Sequence, residues 1–87
     1  MTKAEIMDIA AKLCGVLTVL GCEYHFEADN RGGKRSHYIY VRAPKYMEIR
    51  VSDHPANRVK RRKQFDIGPH GLPLEQAIEQ ITALVRS

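Results

Sequence analysis

The chain is poor in three things: cysteine, long apolar runs, and acidic residues across its middle third. Its two cysteines, Cys14 and Cys22, are too few for a disulfide-built scaffold and make no metal-ligand set by themselves, so they read as small buried apolar residues. No apolar run approaches the roughly 18 residues that span a bilayer. Glu5 and Asp8 also break up the basic-then-apolar layout of a secretory leader. The expected location is cytoplasmic, without a membrane partner. Repeats and low-complexity tracts are missing too, which removes solenoids and disordered linkers. What remains, at 87 residues and 44% hydrophobic, is a single domain, 1–87, with one core.

The scarcity of acid is local, and it matters most. From Arg31 to Lys63 there are eleven cationic residues against only Glu48 and Asp53, a balance of +9 inside a chain whose net charge is +4. The two ends therefore carry −5 between them. Charge this uneven speaks to partners and electrostatic steering rather than to fold, and polyanions are the usual partners of such a stretch.

Hydrophobic periodicity gives the elements. Ile6, Ile9, Ala10, Leu13, Val16, Leu17 and Leu20 recur at helical spacing, with Thr2 and Glu5 placed as a capping box and Gly21 as a stop. Gly15 interrupts this helix at about 1 kcal/mol relative to alanine, a cost that suggests close packing or a bend. Strict alternation follows in Cys22-Tyr24-Phe26-Ala28, then in His37-Ile39-Val41-Ala43, then in Met47-Ile49-Val51. Between the first two runs, Asp29 to Arg35 contains paired glycines and reads as a hairpin loop. A last helix begins near Pro73 and buries Leu74, Ala77, Ile78, Ile81 and Leu84 or Val85. The fold class is α+β: helix, three-stranded antiparallel sheet, C-terminal helix. About twenty residues, Asp53 to Leu72, lie between the third strand and that helix. Either Gln64 to Ile67 forms a short fourth strand, with Phe65 and Ile67 inward, or the segment is a basic arm that orders on its target.

Two cationic clusters are the strongest functional signal. Arg58, Lys60, Arg61, Arg62 and Lys63 crowd five positive charges into six positions, and the glycine loop adds Arg31, Lys34 and Arg35. Such charges repel one another unless an anion is shared among them, and a phosphate backbone provides that while releasing counterions. A solvated charge run, or a contact with acidic protein, is the plainer explanation. The outer sheet face is the second signal: the alternation places Arg42 opposite Glu48, Tyr40 opposite Arg50, and His25 beside Tyr40. That surface could stack bases, and ordinary cross-strand pairing explains it equally well. The histidines are the third signal. His37 shares the inward parity of Ile39 and Val41, and His54 stands between Asp53 and Pro55. An imidazole beside a phosphodiester can act as general acid or base in transfer from a ribose 2′-OH. With no helical His pair or cysteine pair, His25, His37, His54 and His70 give little reason to expect a metal, and no cofactor is implied.

Three resemblances accompany these readings. The order helix, three antiparallel strands, helix resembles the double-stranded RNA-binding domain, although Leu74-Glu75-Gln76-Ala77 is acidic where that family opens its second helix with lysines. Ser36-His37-Tyr38-Ile39-Tyr40, Ile49-Arg50-Val51-Ser52-Asp53-His54 and the stretch from Gly71 to Leu84 resemble segments of the HicA messenger-RNA interferases, which implies a catalytic role for His37 alone. Ser36 through His54 is also similar to small proteins of phages and mobile elements. That likeness implies a binding protein of the anti-CRISPR type, which blocks a host nucleoprotein complex without catalysis. The expectation drawn from residues and resemblances together is a small basic protein that engages nucleic acid or the nucleic-acid-binding surface of such a complex. An interferase toxin is the alternative.

Overall fold

The computed structural model describes residues 2–29, 36–53 and 64–87. Helix α1 runs Lys3–Val19, followed by strands β1 (Glu23–Asp29), β2 (Ser36–Ala43), β3 (Met47–Ser52) and β4 (Gln64–Ile67), and by helix α2 (Leu74–Arg86). The strands form one sheet in the order β1-β2-β3-β4, and both helices pack against the same core.

The boundaries of α1 follow from its caps. At its start the Thr2 hydroxyl accepts from the Glu5 backbone N–H at 3.1 Å, while the Glu5 carboxylate accepts from the Thr2 N–H at 3.1 Å. This reciprocal pair satisfies two amides that the first turn leaves without partners. At its end Gly21, with φ +75°, donates to the Thr18 carbonyl, and Cys22 donates to the Leu17 carbonyl. Those two reversed bonds around a left-handed residue stop the helix and aim the chain into β1. Gly15 lies exposed, and a Cβ built on it meets nothing within 4 Å, so close packing is not the reason for this glycine.

Apolar residues at helical spacing on α1 meet alternate residues of the strands. Ile6, Ala10, Leu13 and Leu17 are buried against Ile39, Val41, Met47, Ile49, Val51 and Ile67, with Ala77 and Ile81 of α2 completing the core. The inner residues of β1, Tyr24 and Phe26, are half-buried, as befits an edge strand reached by one helix only. Thr18 on α1 and Tyr24 on β1 join hydroxyls at 2.8 Å over this thinner part of the core.

Pairing departs from expectation in two places. Between β2 and β3 the register sets Tyr38 opposite Arg50 and Tyr40 opposite Glu48, two residues from the pairing that a tight turn at Ala43-Pro44 implies. Pairing ends at Val41 and Met47, so Arg42 has no partner in β3 and the connection is longer than a tight hairpin allows. Between β1 and β2 the expected pair His25 and Tyr40 is present. The second departure is direction: Gln64 to Ile67 is indeed a strand, and it runs parallel to β3, with Ile49 opposite Phe65 and Val51 opposite Ile67. A parallel neighbour requires a crossover rather than a hairpin, and residues 53–63 make it.

After β4 the chain turns back at once. Leu72 donates to the Asp66 carbonyl at 2.8 Å, Gly68 donates to the Leu72 carbonyl at 3.2 Å, and Leu72 forms a bridge with Ile67 along the free side of β4. Gly68 is required here: its φ is +148°, and a Cβ on it would fall inside the Ser52 backbone carbonyl.

Candidate functional site

The cationic residues Arg31, Lys34, Arg35, Arg58, Lys60, Arg61, Arg62 and Lys63 lie outside the described residues, as does His54. The described strands nevertheless fix where their segments attach. Asp29 pairs with Ser36, and Ser36 pairs with Ser52, so the ends bounding residues 30–35 and the start of the crossover stand side by side at one end of the sheet. The Ser36 and Ser52 hydroxyls are buried there and lie 2.9 Å apart.

Charge divides along the same line. The described residues contain all ten acidic residues and six of the fourteen basic ones, a balance of −4. The remaining eight cations, all of them in 30–35 and 54–63, convert this to the net +4. An acidic body thus carries two basic connections.

His37 sits on the inner face, as its parity predicts, opposite Ala28 and Val51. Its side chain is 2% exposed and packs on Phe26, with ring centroids 5.6 Å apart. Burial pushes its pKa below the ordinary histidine value, the nearby Lys3 ammonium adds to the shift, and Nδ1 has no hydrogen-bond partner among the described residues. The imidazole is held neutral and screened from solvent. To act on a phosphodiester it would first have to be uncovered.

The thiols are equally quiet. Burial raises the pKa of Cys14, partly offset by a hydrogen bond from Tyr24, and burial raises that of Cys22. Neither is poised as a thiolate nucleophile. Among the described residues no group of three histidine, cysteine or acidic side chains could hold a metal ion, and no helix is long and apolar enough to cross a membrane.

The outer sheet face is where sequence reading missed most. Two tyrosines adjacent along β2, Tyr38 and Tyr40, hold their rings 12° from parallel with centroids 6.3 Å apart. Glu27 stands opposite Tyr38 on the β1 side and Glu48 opposite Tyr40 on the β3 side. Arg50 also flanks Tyr38, and its guanidinium lies 3.5 Å from the Asp66 carboxylate. Tyr46 donates to Glu48 at 2.6 Å, while Glu23, His25 and Glu27 along β1 are exposed. Alternation alone identifies the residues of this face. The register adds which of its charges flank the two tyrosines.

No family model matches the chain, and no significant match emerges among curated proteins or among solved structures.

Proposed function

We propose that this protein binds a nucleic acid, or the nucleic-acid-binding surface of a nucleoprotein complex, through the two basic connections 30–35 and 54–63. The observation that carries this reading is the segregation of charge: eight cations gathered in two segments of a chain whose other residues balance to −4. The two segments leave from neighbouring strand ends, after Asp29 and after Ser52, and the second rejoins the sheet at Gln64, opposite Glu48 at the other end of β3. Within this class, the size and the basic clusters suit an inhibitor that occupies a host defence complex by binding, in the manner of anti-CRISPR proteins.

A ribonuclease acting through His37 has no comparable support, because its ring is 2% exposed and unable to touch a substrate while the fold is intact. The experiment measures affinity for labelled 20-nucleotide RNA and DNA across a salt series, for wild type and for Arg61→Gln/Arg62→Gln/Lys63→Gln. Loss of three phosphate contacts reduces the slope of log affinity against log salt by about 2 to 3. An unchanged slope and affinity in the triple variant refutes the proposal. Cleavage of the RNA by wild type and not by His37→Ala would replace it with the nuclease reading.

A further inference from the structure

The margin of the sheet points to a different ligand. We propose that the outer edge of β1 takes up, as an added strand, an extended segment of a partner protein in which basic residues alternate with apolar ones. The proposal does not depend on the polyanion reading, since none of its residues belongs to the two basic connections.

Three observations select this occupant. The first is the edge itself. β1 ends the sheet, and among the described residues no strand lies on the side away from β2. Its pairing with β2 is regular from Tyr24 to Asp29, so alternate backbone N–H and C=O groups along that length point outward, where another strand can meet them. The opposite margin is less suited, because Leu72 already bridges to Ile67 there.

The second is an apolar inner face that is incompletely covered. The inward residues Ile39, Val41, Ile49 and Val51 of the middle strands are fully buried, whereas on β1 Tyr24 and Phe26 are half-buried and Ala28 is exposed. Helix α1 turns the stripe Lys3, Met7, Cys14 and Thr18 to this margin, at steps of four, seven and four residues. Both ends of the stripe are tied to it: Thr18 and Cys14 hydrogen-bond with Tyr24, and the Lys3 ammonium lies near His37, whose ring packs on Phe26. Met7 falls between those ends and is 43% exposed. A strand added beside β1 brings its inward side chains against Met7 and Phe26, and methionine adapts its shape to the apolar group it meets.

The third is charge. The outward residues of β1 are Glu23, His25 and Glu27, all exposed. A second copy of β1 would set the same carboxylates against these, a pairing that like charge opposes. A strand whose outward residues are lysine or arginine meets them instead as opposite-charge pairs. Alternation then leaves its inward positions for apolar side chains.

The test uses the full chain and three fluorescein-labelled peptides of about seven residues. One alternates lysine and valine, one holds the same residues in two separate blocks, and one alternates glutamate and valine. Fluorescence anisotropy should show the first bound about 10-fold more tightly than either of the others, the scale of a few cross-strand pairs. Glu23→Lys/Glu27→Lys should reverse the preference between the lysine and glutamate peptides, and Met7→Ser should weaken the alternating lysine peptide more than the blocked one. Strand addition uses the amides of one parity, so N-methylation of either the lysines or the valines should abolish binding and methylation of the other set should spare it. Circular dichroism confirms that each variant is folded. Equal binding of the alternating and blocked peptides, a preference unmoved by the charge reversal, or binding that tolerates both methylations overturns the proposal. Dimerisation of the chain that competes with the peptide also overturns it, by assigning the edge to a second copy. Because Arg61→Gln/Arg62→Gln/Lys63→Gln tests nucleic-acid affinity and the β1 variants test peptide affinity, each reading can fail alone.

Discussion

Replacing a glycine by alanine should have opposite effects at two positions of this chain. At Gly15 the substitution adds a methyl group to an exposed turn of α1, where a built Cβ meets nothing within 4 Å. No contact is strained and no polar group is buried, so the difference reduces to helix propensity, about 0.8 to 1 kcal/mol in favour of alanine. For a domain of this size that gain raises the melting temperature by roughly 4 to 8 °C. At Gly68 the same methyl group would enter the Ser52 carbonyl, on a backbone of φ +148° that an L-residue rarely adopts. To relieve the clash the turn must pull away from the end of β3 and open the Gly68–Leu72 hydrogen bond, at a cost above about 2 kcal/mol. Thermal unfolding followed by circular dichroism at 222 nm, on both single variants, is sufficient. A destabilised Gly15→Ala would refute the argument for α1, because it would mean that the glycine serves a bend or a contact which this structure does not contain. A Gly68→Ala variant as stable as wild type would refute the close approach of the turn to β3.

Two further outcomes follow from buried polar groups. His37 has its pKa lowered in the folded state, so the unfolded chain binds more protons below the ordinary histidine value near 6.5. Stability is therefore full above that value and declines as pH falls through it; urea titrations from pH 8 to 5 should show the decline, and His37→Leu should flatten it. A slope unchanged by His37→Leu would place the titrating group elsewhere. Ser36 and Ser52 form a buried hydroxyl pair, so each single alanine variant should lose about 1 to 2 kcal/mol and the double variant less than the sum. Additivity in that cycle would mean that the 2.9 Å contact contributes nothing of its own.

Much of the architecture was legible in the residues themselves. The helical spacing of Ile6, Ala10, Leu13 and Leu17, the capping pair Thr2 and Glu5, and the alternation of the three longer strands each have a local cause, and each is present. The fourth strand was legible as an element because Phe65 and Ile67 alternate. Its parallel direction was not, since period 2 is the same whichever way a strand runs. The register between β2 and β3 was misplaced for a related reason. Alternation fixes which face a side chain takes and leaves the pairing open to shifts of two residues; the length of the turn decides, and here it extends from Arg42 to Tyr46. That shift moved Glu48 from Arg42 to Tyr40, changing the neighbours of the tyrosines while the residues of the face stay the same.

The burial of His37 could be inferred from parity, while its missing partner at Nδ1 could not, because that depends on what α1 and Phe26 place around the ring. The candidate cationic residues had a clear signal of their own, density of charge. Their contrast with the rest of the chain was legible too, since Arg31 to Lys63 balance to +9 and the remainder to −5.

The two sides of the sheet end differently, and this bears on how copies of the chain behave when concentrated. On one side β1 opens with a register shift between Glu23 and Tyr24 and carries exposed Glu23 and Glu27. On the other side β4 is four residues long, and the Leu72 bridge already occupies part of its free edge. An irregular, charged strand and a short, partly covered one are the devices by which β proteins discourage strand-to-strand stacking between molecules. Among the described residues, the β4 margin is short and partly bridged, while the β1 margin is longer and relies on its exposed carboxylates. Like charge along β1 and the Leu72 bridge on β4 both work against pairing with the strand of another copy.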